Sequence, residues 1–205
     1  METAERELVE LPVRTAALAG ELDAATTAAL RLYGRELYAF MTGIARDRTV
    51  ADDAFSALCE LVWKRLAEFR WEASLRSWLY VLARRLVLRV RVDGYRRDKR
   101  TKPLDVAQEI RELAAQIRTE TLEILRTDVK DAFRALRDEL STEDQELLAL
   151  RVDRDMSWRD IASIVDAEDA DPRTLDQRAA ALRKRFERVK DRLRELALAR
   201  GLLEG

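Results

Sequence analysis

The stretch Ser74-Leu-Arg-Ser-Trp-Leu-Tyr-Val-Leu-Ala-Arg-Arg-Leu86 decides the class of fold. Leu75, Trp78, Leu79, Leu82 and Leu86 recur at helical steps and share one narrow arc, with Ser77, Tyr80, Arg84 and Arg91 opposite. Ser74 stands just ahead of the first apolar residue and offers a side-chain oxygen to cap that helix. The same period runs upstream. Phe55, Leu58, Val62, Leu66 and Phe69 form the stripe of a helix opened by Thr49 and Asp52, whose spacing resembles a capping box. Leu30, Leu37, Phe40 and Ile44 mark an earlier helix, from about Asp23 to Arg46. Three amphipathic helices with short connections make one compact bundle. Residues 1–22 carry few signals of order and read as an N-terminal arm.

Downstream, Gly94 and Pro103 bracket the basic run Tyr95-Arg-Arg-Asp-Lys-Arg-Thr-Lys102, the best boundary in the chain. This sets a first domain at 23–100, a linker at 101–127 that retains some helical periodicity, and a second domain at 128–205. In the second, Val129, Phe133 and Leu136 share a helix, and Ser141 or Thr142 caps the next, which carries Leu147, Leu148 and Leu150. Ser157 caps a short helix with Trp158, Ile161, Ala162, Ile164 and Val165. An acidic loop at 166–172 leads into a long helix ending at about Arg200. Its Leu182, Phe186, Val189, Leu193 and Leu196 alternate four- and three-residue steps. No stretch alternates as a strand does. The expected fold is all-α, two helical domains joined by a linker, the C-terminal one a helix-turn-helix.

Composition narrows the chemistry. The 205 residues hold 38 basic and 39 acidic side chains, one cysteine and no histidine. No imidazole is present to act as a base near neutral pH or to complete a Ser/His/Asp triad, and Cys59 alone cannot build a disulfide or a thiolate cage. Catalysis is therefore the least supported class, and no metal or cofactor is expected. No apolar run approaches the roughly 20 residues of a membrane span, and no signal-peptide pattern opens the chain, so a cytoplasmic protein is expected. The charge is near balance overall but segregated. Residues 84–102 hold nine basic and two acidic side chains, residues 182–200 eight and three, and residues 137–171 four and twelve.

Two constellations suit nucleic acid. On the long helix, turning the apolar stripe inward leaves Lys184, Glu187, Arg188 and Asp191 outward, flanked by Arg183, Arg185 and Arg192. Arginine and lysine there hold phosphates or read guanine, and Glu187 accepts from a cytosine amine. A solvated basic face or a coiled-coil seam fits the same pattern, and both stay open. The second is Phe69, Arg70, Trp71, Trp78 and Tyr80, next to the basic stretch that starts at Arg84. Aromatics beside a basic track suit unstacked bases. The periodicity puts Phe69 and Trp78 in the core, which leaves Arg70 and Trp71 in the turn as the pair less readily explained by packing.

These residues resemble a known family. Asp53-Ala-Phe-Ser-Ala-Leu-Cys-Glu-Leu-Val-Trp-Lys-Arg-Leu-Ala-Glu-Phe-Arg70 with Ala73-Ser-Leu-Arg-Ser-Trp-Leu-Tyr-Val-Leu-Ala-Arg-Arg85 resembles region two of extracytoplasmic-function RNA polymerase sigma factors. Leu140-Ser-Thr-Glu-Asp-Gln-Glu-Leu-Leu-Ala-Leu-Arg151, Met156-Ser-Trp-Arg-Asp-Ile-Ala162 and Ala181-Leu-Arg-Lys-Arg-Phe-Glu-Arg-Val-Lys-Asp-Arg-Leu-Arg194 resemble region four. The resemblance implies a non-enzymatic specificity subunit whose partners are bacterial core RNA polymerase and promoter DNA, with an anti-sigma factor as a further candidate. Carried over by position, Asp53, Ser56 and Glu60 would touch the polymerase. Arg70, Trp71 and Ser74 would hold a base flipped from the minus-ten element, and Arg84, Arg85 and Arg89 would track the backbone. Arg183, Lys184, Glu187 and Arg188 would meet the minus-thirty-five element. The chain departs from the family in having Ser56-Ala57 for Gln-Glu, Arg85 for asparagine, and a longer, acidic helix-turn-helix connection. A stand-alone helix-turn-helix regulator and a degenerate sigma-like interaction module are the alternatives.

Overall fold

The structure, a computed structural model, describes residues 3–94, 106–127, 131–166 and 172–203. These residues are helical with no strand among them, in two compact units, Met1–Thr127 and Asp128–Gly205. No described helix is long and apolar enough to cross a membrane.

The first unit is built around α2 (Leu22–Ala45). Its neighbours are α1 (Thr3–Leu18), α3 (Arg48–Arg65), α4 (Leu75–Gly94) and α5 (Gln108–Thr127), each packed against it. That explains why α2 buries far more than the stripe Leu30, Leu37, Phe40 and Ile44. Ala25, Ala29, Tyr33, Gly34, Tyr38 and Met41 are buried as well. The cap of α3 is Asp47 and not Thr49. Asp47 is extended, and its carboxylate accepts from the amides of Thr49 at 2.7 Å and Val50 at 3.3 Å, which draws Thr49 into the first turn. A short 3₁₀ turn, Leu66–Glu68, ends α3.

At α4 the cap is as expected, Ser74 Oγ accepting from the Ser77 amide at 3.1 Å. The single inward arc is not. Leu75, Leu79 and Leu82 are buried, but so are Ser77 and Tyr80, with Ala83, Val87 and Val90. α4 packs on both α2 and α3, so it needs two apolar flanks, and Tyr80 lies against Phe40 with ring centroids 5.0 Å apart.

The described part of the stretch read as an arm, 3–22, is packed and not loose. Val13 and Ala17 of α1 are buried, and Glu10 is only 6% exposed. Gly20, at φ +80°, ends α1 in a left-handed turn. Its amide bonds to Ala17 O and that of Glu21 to Ala16 O, the Schellman pattern that glycine permits without strain. Within the stretch read as a linker, α5 is likewise packed, burying Ile110, Ala114, Ile117 and Thr121.

The second unit holds α6 (Asp131–Asp138), α7 (Thr142–Leu148) running on into one π-helical turn at Ala149–Asp153, α8 (Trp158–Val165) and α9 (Pro172–Ala199). Ser141 and Ser157 cap α7 and α8, accepting from Asp144 N at 3.2 Å and Asp160 N at 3.1 Å. Leu140, Leu148 and Val189 form a small core closed by Phe186 and Leu193, so three of the five residues of the long-helix stripe belong to it. Val129 and the acidic 167–171 part of the α8–α9 connection lie outside the described residues, as does the basic run 95–102.

Candidate functional site

Three surfaces carry the residues singled out by sequence. The first is the turn between the 3₁₀ segment and α4. Trp71 adopts φ +59°, a left-handed conformation that costs a bulky residue strain. It is held there by aromatic contact. Phe69 meets Trp71 edge-on at 5.0 Å and stacks on Trp78 at 4.9 Å with 29° between planes. All three rings are half-buried and Arg70 is exposed. Ser74 is taken up in the cap, also donating from Oγ to Ser77 Oγ at 2.8 Å.

Sequence reading missed what backs this turn. Arg14 of α1 lies over the Trp71 ring, 5.6 Å from its centroid, a cation–π contact. Glu10, one turn earlier, reaches the start of α4. Its carboxylate accepts from the amides of Leu75 and Arg76, each at 3.1 Å, and from the Tyr33 hydroxyl at 2.8 Å. A buried anion at a helix N-terminus meets the positive end of the dipole and fills donors the helix itself leaves open. Burial first, and then the Glu10 hydrogen bond, raise the Tyr33 pKa well above the usual tyrosine range. Arg76 continues the network, binding Glu36 through Nε at 2.7 Å and Nη2 at 2.8 Å. Along α4, Arg84 is half-exposed, and Arg85 and Arg89 are exposed beside Leu88 and Val92.

The second surface is the α3 face. Asp53, Ser56 and Glu60 share it, all half-buried, with Glu60 paired to Lys64 four residues on. Ser56 is not open. Its Oγ donates to Asp52 O at 3.0 Å and accepts from Arg118 Nη1 of α5 at 2.9 Å. Asp52 in turn accepts from the Tyr38 hydroxyl at 2.5 Å, and burial together with that bond pushes the Tyr38 pKa up to about 12.

The third surface is α9. Lys184, Glu187 and Arg188 are exposed, and Glu187 pairs with Lys190 at 2.7 Å. Arg183 is exposed too, with its guanidinium set over a ring. It lies 5.8 Å from the Trp158 ring, Arg151 lies 5.2 Å from it, and Trp158 meets Phe186 edge-on at 5.3 Å. Arg185 binds Asp144 at 2.6 Å. So α8 and α9 are joined by an aromatic–guanidinium stack, and Lys184 and Arg188 are among the exposed cations of α9, with Arg183, Lys190, Arg192 and Arg194. Among the described residues no group of acids and cysteine is placed to hold a metal ion, and Cys59 is buried.

No curated protein and no solved structure matches the chain. Residues 29–101 match the family described as sigma-70 region 2. The match runs from α2 across α3 and the Phe69–Trp71 turn to the far end of α4, so it spans the first two surfaces. Residues 29–101, which are similar to sigma-70 region 2, hold both the aromatic turn and the α3 face.

Proposed function

We propose that the chain is a sigma factor of the extracytoplasmic-function type, binding core RNA polymerase and directing promoter opening. The observation that carries the reading is the region 2 match over the helices that hold the aromatic turn and the α3 face. In this reading Asp53, Ser56 and Glu60 meet the polymerase. Arg70 and Trp71 receive a base flipped out of the minus-ten element, and Arg84, Arg85 and Arg89 follow the phosphates. Flipping costs a few kcal/mol of stacking, and one aromatic stack returns about 1–3 kcal/mol. A rigid, pre-strained Trp71 backed by Phe69 and Arg14 suits that role because the ring loses little freedom on binding.

The second unit is assigned to the minus-thirty-five element. α8 braces α9 through Trp158 and Phe186, leaving Lys184, Glu187 and Arg188 for the major groove. Segregated charge suits DNA reading by a chain that a polymerase holds in place. The protein acts as a binding subunit with no bond-making step of its own.

Purified chain mixed with bacterial core polymerase should co-elute with it and yield run-off transcripts from a cognate promoter. Absence of any complex with core polymerase overturns the reading. Tight, salt-sensitive duplex binding by the free chain, with no dependence on polymerase, would favour a stand-alone regulator instead.

A further inference from the structure

We propose that α5 and the polymerase compete for the α3 face, so that the docked helix holds the free chain in a form that binds polymerase weakly. This rests on the reading of Asp53, Ser56 and Glu60 as polymerase contacts. The packing of α5 is specific. Ile110, Ala114, Ile117 and Thr121 fall at helical spacing on one buried face. Ile117 packs directly on the backbone of Gly34 of α2. A Cβ on Gly34 of α2 would lie 2.5 Å from Ile117 Cδ1. Arg31–Glu109 at 3.3 Å and Arg35–Glu120 at 2.6 Å bind the rim.

From that seat Arg118 reaches across to α3. Its Nη1 donates to Ser56 Oγ at 2.9 Å and approaches Asp52 O at 3.5 Å. Because the Ser56 hydroxyl proton is already given to Asp52 O, Arg118 binds the same oxygen as an acceptor. Ser56 and Ala57 are small, which leaves room for the guanidinium to settle there. Any partner that bonds to Ser56 has to displace the Arg118 guanidinium, and one that covers the α3 surface beside it meets α5, which packs against α3. When most chains have α5 docked, the apparent affinity for polymerase falls by the fraction in which it is undocked.

Ile117→Glu puts a charge against the Gly34 backbone and should release α5. Hydrogen exchange on the full-length chain reads that release as faster exchange of the amides of 108–125. The same variant should then bind core polymerase about ten-fold more tightly, or better, than wild type. If the substitution costs the first unit its fold, Ile117→Ala, which only removes the contact with Gly34, serves with the same two readouts. Released α5 with polymerase affinity unchanged or reduced overturns the proposal, since the helix then either stands clear of the interface or belongs to it. Wild-type binding without a gain strikes this inference alone. Failure of both wild type and variant to bind removes the sigma-factor reading and this inference together.

Discussion

Replacing Glu10 by alanine tests whether α1 is an integral part of the first unit. The carboxylate is 6% exposed and receives three hydrogen bonds, from Leu75 N, Arg76 N and the Tyr33 hydroxyl. A hydrogen bond to a charged group contributes roughly 1.5–3 kcal/mol, and losing the acceptor leaves buried donors unpaired. Part of this gain already offsets the cost of burying the charge, so about 4 kcal/mol is the expected loss for Glu10→Ala. Against a typical domain stability of about 5–15 kcal/mol that is a large share. In a unit of this size each kcal/mol shifts the midpoint by roughly 3–4 °C, so melting should fall by about 12–16 °C. Glu10→Gln keeps the shape and one acceptor oxygen, and should lose about half as much. Glu7, exposed on the same helix, is the control. Thermal melts followed by tryptophan fluorescence suit the question, because Trp63, Trp71 and Trp78 all belong to the first unit and Trp71 lies under Arg14. A Glu10→Ala midpoint within about 2 °C of wild type would refute the reasoning, since α1 would then contribute nothing that the rest of the unit needs.

Alkaline pH should weaken the fold. Burial raises Cys59 from 9.0 and Tyr38 from 10.0 to about 12 each, and raises Tyr33 further. The unfolded chain gives up these protons first, so stability is intact below about pH 9 and declines towards about pH 12. Each group contributes a slope of about 1.4 kcal/mol per pH unit within its window, measurable as a falling urea midpoint. Cys59→Ala should delay the onset by about one pH unit, and an unchanged onset would contradict the burial of the thiol. On α9, Lys184→Ala with Arg188→Ala should leave melting within about 0.5 kcal/mol of wild type while reducing the salt slope of promoter binding by about 2. A double variant that still needs its minus-thirty-five element would remove α9 from that role. Arg185→Ala should do the reverse, lowering the stability of the second unit by about 0.5–1 kcal/mol through loss of Asp144 and sparing DNA reading.

The parts that escaped sequence reading share a physical cause. α1 was read as an arm because its larger apolar side chains face outward, Leu8, Leu11 and Leu18 all being more than half exposed. Its inner face carries Glu10, Val13 and Ala17, a pattern in which a carboxylate stands where a hydrophobe is expected. Only the proximity of Tyr33 and the α4 amides makes that carboxylate a core residue, and those partners are 23 or more positions away. The seat of α5 had a faint signal in Gly34, a lone glycine inside a strong helical pattern, but what packs on it sits 83 residues later. At α4 one arc was read and two were buried, because periodicity reports the apolar stripe and not how many neighbours a helix will have.

What the sequence determined by itself was local. Apolar period, serine caps at Ser74 and Ser157, and sparse glycine and proline specify helices, because each of these acts within one or two turns of backbone. The motif order likewise brought the aromatic turn and the basic α4 together, since they are adjacent in the chain. Tertiary structure alone decided which of the named residues are available. It placed Arg118 on Ser56 and Arg185 on Asp144, while Lys184 and Arg188 stayed in solvent. Availability depends on side chains from distant helices filling or vacating the same few ångströms, and no local pattern encodes that.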